Sequence, residues 1–271
     1  MASAPADHDR RLRAFGRGAA LSFGLLSLAA LAQLAGTGAA IALGIGFFLA
    51  GFAHGAAEHQ SGTLRAFRLL DAAAYVLAGL AVAALFLAMP LAGLTLFLLL
   101  SAWHFQHSAG GDRLARWAYA LTAVGGSALW QGEATAEIFA ALLGQPIPQP
   151  WMLVLAVAGG AGLVLAIAAL GRRPHGWSLI ACVAATALLH PVLATGLAFF
   201  LGHAWPMQHA QARRFGWSEV IRAAAPTAIP AMLGALAIAA FVLVGILPLV
   251  WAAALAFGMA TPHILTERLE R

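Results

Sequence analysis

The sequence is short of charge. Only 9% of its 271 residues are Asp, Glu, Lys or Arg, where a soluble domain carries about 25%. So few charges cannot cover a water-facing surface, and lipid is the solvent that suits such a chain. Lysine is missing altogether, every basic residue being arginine, and a net charge of +5 does not point to nucleic acid. There is one cysteine, Cys182, so no disulfide forms within the chain, and its mid-span position reads as inert packing. Internal repeats and long polar linkers are also lacking, which leaves one domain.

What is present is apolar residue, 62% of the chain, in long uninterrupted runs. Backbone groups in a bilayer must pair internally, so only helices and closed barrels span it. Continuous rather than alternating apolar runs select helices. The expected fold is all-α: a polytopic integral membrane helical bundle of about nine or ten membrane segments, with a cytoplasmic tail at 1–18 and a single transmembrane helical domain at 19–271. Candidate spans run at about 19–35, 38–57, 68–88, 91–108, 114–131, 151–170, 226–246 and 249–265, with a longer stretch at 177–205. Most match the roughly 20 residues that cross a 30 Å hydrocarbon core. Residues 133–150, closing on Pro146, Pro148 and Pro150, read as an external loop with a short helix. Residues 208–225 read as a basic, partly amphipathic interfacial segment.

Arginine sets the orientation. The clusters fall in the tail, at Arg65/Arg68, Arg113/Arg116, Arg172/Arg173 and Arg213/Arg214/Arg222. With the N-terminus inside, those through Arg173 are cytoplasmic. One crossing at 177–205 would put Arg213, Arg214 and Arg222 outside; two short segments turning at His190-Pro191 keep them inside. That parity brings His54 and His59, His104 and His107, His203 and His209, and His263 to the cytoplasmic ends of four separate segments. His190 falls on the opposite side, His175 in a loop and His8 in the tail.

Imidazoles at one depth in a membrane point to a metal. Neutral imidazole is the commonest metal-ligating side chain, and several of them hold Fe, Cu or Zn without adding charge to an apolar site. Glu58 stands at i+4 from His54, placed either to orient that imidazole or to ligate. His104 and His107 share a face at i,i+3, with His104 the deeper. His203 and His209 are six apart, and the helix break expected at Pro206 allows both to converge. His263 follows Pro262, which would kink the last span. Beyond metal binding as such, two classes of function fit: a bis-His haem b electron-transfer protein, and an accessory or transport protein carrying metal or protons. An ion path would run through the membrane, whereas these groups cluster at one depth.

Four separated motifs resemble the bacterial and archaeal Brp/Blh family of membrane β-carotene 15,15'-dioxygenases, over about His54 to Leu265. They are His54-Gly55-Ala56-Ala57-Glu58; Ser101-Ala102-Trp103-His104-Phe105; Pro191 through Phe199-Phe200-Leu201-Gly202-His203; and Thr261-Pro262-His263-Ile264-Leu265. The resemblance implies oxidative central cleavage of β-carotene or a related carotenoid to retinal, with O2, at a histidine-ligated non-haem Fe(II). It implies iron ligands at His54, His104 and His203, with a fourth four residues beyond His203. Position 207 is Met, so either His209 takes that role or the ligand is lost. Glu58, His107 and His263 are expected as outer partners or additional ligands. Trp103, Phe105, Phe199 and Phe200, with Phe47, Phe48 and Trp205, are candidates to line the polyene channel. Expected partners are a carotenoid drawn from the bilayer, O2, membrane lipid and a retinal-accepting rhodopsin. The expected place is the bacterial inner membrane, multi-pass, with the metal near the cytoplasmic side.

Overall fold

A computed structural model describes residues 4–52, 58–60, 63–65, 69–108, 112–172 and 176–269. Its architecture is helical. The helices are α1 (Ala4–Leu34), α2 (Thr37–Phe52), α3 (Leu69–Ala88), α4 (Pro90–Ser108), α5 (Arg113–Trp130), α6 (Gly132–Leu143), α7 (Gln149–Arg172), α8 (Trp177–Leu188), α9 (Pro191–Phe199), α10 (Trp205–Phe215), α11 (Trp217–Leu243) and α12 (Leu249–Leu269). One small antiparallel hairpin, β1 (Glu58–Gln60) on β2 (Thr63–Arg65), interrupts them, with Glu58 opposite Arg65. No strand was expected there. The helix of the first span starts as early as Ala4, so the arginine-rich residues read as a tail continue it.

Between α5 and α7 small residues make the helix contact, and the large ones of α7 face outward. On α7, Gly159, Gly162, Ala166 and Ala169 are buried. A Cβ on Gly162 would stand 2.6 Å from Thr122 N of α5, and one on Gly125 of α5 would stand 2.5 Å from Gly159 N. The opposite face of α7 exposes Leu153, Val154, Val157, Val164 and Ile167, each 64–68% accessible. The same rule joins α3 to α12, where a Cβ on Gly79 would meet the Gly258 carbonyl at 2.7 Å. In water the large aliphatics would be inside. Close backbone approach through Gly and Ala is how helices associate where lipid removes the hydrophobic drive.

Two cores result. One gathers Phe47, Tyr119, Leu179, Cys182, Leu193, Leu197 and Leu201, from α2, α5, α8, α9 and the turn after α9. The other joins Phe86, Leu94, Leu143 and Ala254, from α3, α4, α6 and α12.

The stretch 177–205 is broken where expected. Helix α8 ends at Leu188, and Pro191 opens α9 as its first residue, a position that asks nothing of the missing N–H. The break is held by side chains. Gln131 Nε2 donates to the carbonyls of Thr186 (2.9 Å) and Leu189 (2.7 Å). Gln33 Oε1 accepts from the His190 N–H (2.8 Å), and His190 Nδ1 caps α9 by accepting from the Val192 N–H (3.3 Å). Those groups would otherwise be orphaned at the helix ends.

Among the described residues, α7 alone is long and apolar enough to cross a membrane unbroken. Trp217–Pro226 and Ala228–Leu243 meet the same test only when taken together, with a bend of 56° between them, where Pro226 and Pro230 lie inside the helix. Six further apolar stretches, from Gly18–Leu34 to Leu249–Thr261, are 10–17 residues long. By length and composition, then, one or two helices among the described residues could cross a membrane, against the nine or ten segments expected.

Candidate functional site

Helix α4 runs apolar from Pro90 and turns polar in its last two turns. Ser101, His104 and Gln106 are all buried there, while Trp103 on the other side of the helix is 37% exposed. Burial of three polar side chains in six residues is costly unless each is satisfied, which marks this end of α4 as built for something other than packing.

The partner comes from the far side of the break. After α9 the chain does not continue as an α-helix but widens into a π-helical turn at Phe200–Ala204, then resumes as α10. The wider turn suits Pro206, which has no N–H to give and whose ring would press on the carbonyl four residues back, Gly202. The Trp205 N–H accordingly reaches Phe200 O, five residues back. Turns of this kind recur at functional sites, and this one carries His203, which is wholly buried. Its ring meets that of His104 edge-on, with centroids 4.4 Å apart and planes inclined by 60°.

Aromatic rings close round the pair. Phe105 lies 5.2 Å and Phe199 5.6 Å from the His203 ring. Behind them, Phe48 stacks on Phe199 and Phe47 on Phe200, bringing α2 to the same place. Phe200 leads on to Trp205 at 6.2 Å. Four of the aromatics singled out in the sequence (Phe47, Phe48, Phe199 and Phe200) therefore form one wall, and Phe105 stands beside the imidazoles.

His209 has a different setting. It is exposed on α10, stacked on Trp205 at 5.8 Å and 6.5 Å from Trp217. Among the described residues, no three His, Cys, Asp or Glu side chains stand together as a metal-holding group, so His209 does not complete one with His104 and His203. His54 and His175 lie outside the described residues. So do the side chains of His8, Glu58, His59, His107 and His263, whose backbones fall in α1, β1, β1, α4 and α12.

The two central imidazoles fit part of a metal's requirements. With a metal–nitrogen bond of about 2.1 Å, two imidazoles at right angles on one ion have centroids about 4.5 Å apart. The observed separation agrees. Rings on opposite sides of a haem iron would need centroids about 6 Å apart, and 4.4 Å is too close for that arrangement.

Sequence reading missed Tyr119, on α5. Its hydroxyl donates to the Ala198 carbonyl, one turn before His203. The signal was available: it is one of only two tyrosines in the chain, and a phenol within an apolar span needs an acceptor.

No curated protein and no solved structure matches the chain. The sequence model of one family does, over residues 45–269, and that family is described as beta-carotene 15,15'-dioxygenase.

Proposed function

The chain belongs to the beta-carotene 15,15'-dioxygenase family, and on that premise we propose that it cleaves β-carotene or a related carotenoid at its central double bond, as a multi-pass protein of the bacterial inner membrane. The observation that carries this reading is the wholly buried pair His104 and His203, ring against ring within a wall of phenylalanines. In this reading His54, His104 and His203 hold a non-haem Fe(II). Bound there, the iron would supply the redox chemistry by which β-carotene and one O2 become two retinal molecules.

The chain's own contribution is ligation, dryness and alignment. Neutral imidazoles add no charge to an apolar site. Phe105 and Phe199 keep water away from them and, with Phe200 in the wall behind, offer flat apolar faces to a conjugated polyene. Such a polyene dissolves in the bilayer rather than in water, so its approach is through lipid. The large aliphatics exposed along α3, α7 and α11, with small residues inside, support that setting. Trp103, one residue before His104, is partly exposed on the other side of α4 from the imidazoles.

The test is expression in a bacterium that makes β-carotene. Colour should fade and retinal should accumulate one for one with cleaved ends. Unchanged carotenoid in cells holding well-folded protein would overturn the proposal.

His209 decides the fourth position. Its exposure and its stack on Trp205 favour a site from which the fourth imidazole has been lost. His209→Ala should therefore keep its metal and at least about half of its activity, a loss below the roughly 10-fold expected for even an outer partner of a ligand. Metal-free H209A would instead assign the fourth position to His209.

A further inference from the structure

The π turn that carries His203 is held open from outside. In an uninterrupted α-helix the Gly202 N–H would bond to the Ala198 carbonyl, four residues back. Tyr119 of α5 stands between them: its hydroxyl donates to Ala198 O, and its ring lies against Gly202. The ring fills the space in front of Gly202 so completely that a Cβ there would fall inside it. A side chain inserted into the i→i−4 ladder is a recognised cause of helix distortion, and the widened turn begins at Phe200, between these two residues. Pro206 accounts for the far end of the turn; Tyr119 accounts for the near end.

This matters for where His203 points. Closing the turn back to an α-helix would remove one residue of register and rotate His203 by about 100° about the helix axis. An imidazole turned that far leaves the ring of His104. We infer that Tyr119 is a positioning residue: its phenol, wedged between Ala198 and Gly202, aims His203 at His104 and so sets the metal-binding pair. Gly202 is the complementary half of the device, since only a residue without a Cβ admits the ring. The inference rests on the reading of His104 and His203 as ligands, and goes beyond it in naming what orients them.

Tyr119→Phe keeps the ring and removes the hydroxyl. Two readouts on full-length protein separate the inference from the reading beneath it. The first is the ring 15N resonances of His203 in metal-free protein, assigned with His203→Gln. The second is titration with Co(II), followed by its visible absorption. In Y119F the His203 resonances should move, Co(II) affinity should fall roughly 10-fold or more, and the cobalt bands should shift. Unmoved resonances with cobalt binding equal to wild type would overturn the positioning role and leave the metal reading standing. Moved resonances in a protein that binds no metal even as wild type would do the reverse. Should Y119F not be recovered folded, 3-fluorotyrosine in a Tyr75→Phe background replaces it. That label leaves the ring in place and strengthens the phenol as a donor. The His203 resonances should still shift, and identical resonances would overturn the inference.

Discussion

Replacing His203 by alanine should abolish carotenoid cleavage and leave the purified protein without metal. The outer partners of a metal ligand are worth roughly 10- to 100-fold, so removal of a ligand itself should exceed about 100-fold. His104→Ala should do the same, because the two rings serve one ion. Neither change should unfold the chain. The neighbours of His203 are largely Phe105, Phe199 and His104, and a cavity among them costs about 2–5 kcal/mol at most. Metal analysis of detergent-purified protein beside a retinal assay makes the check. Full activity in H104A would refute the assignment of the pair.

The second large effect is expected far from any imidazole. Gly44 of α2 lies against α9, and a Cβ there would stand 2.8 Å from Val192 O and 2.9 Å from Leu193 Cα. Both are backbone atoms and cannot swing aside. Gly44→Val should cost about 3 kcal/mol or more, at or beyond the upper end of ordinary overpacking, seen as a lowered Tm or loss of folded protein. Activity should fall with it, since this seam sets α2 beside the helix leading into His203. Gly46, two residues on, faces open space. Gly46→Val should stay within about 0.5 kcal/mol of wild type. Equal behaviour of the two variants would show that the α2–α9 seam is not the constraint described.

Much of this was legible in the sequence because apolar runs and prolines act locally. The runs gave α3, α4, α5, α7 and α12 to within a few residues, and the start of α2; α11 instead begins at Trp217, nine residues before the span expected from 226, within the stretch read as interfacial. Three prolines before Trp151 marked the loop that holds α6. The parity of Arg213, Arg214 and Arg222 together with Pro191 divided 177–205 into α8 and α9. What escaped depends on contacts between distant parts of the chain. Charge parity put His104, His107, His203 and His209 at one depth, but depth does not say which rings meet. The structure joins His104 to His203 and leaves His209 among tryptophans. The π turn escaped for the same reason: Pro206 announced a break, and the residue that shapes its other end, Tyr119, is 79 positions from Ala198. The β1–β2 pairing, three residues a strand, is too short to leave a pattern.

The clamp of Gln33 and Gln131 on the break between α8 and α9 also bears on the order of assembly. The two helices have 12 and 9 residues, each well short of the roughly 20 that partition into a bilayer alone. In the membrane setting proposed above, their exposed ends would become tolerable only once the two glutamines are there to receive them. Both glutamines come from earlier in the chain, so α1 and α5 must be in place before the broken pair can settle. His203, carried in behind α9, is then a late arrival at His104. A bound metal would accordingly register a completed bundle, and variants that slow the docking of α9 would surface first as metal-poor protein rather than as unfolded protein.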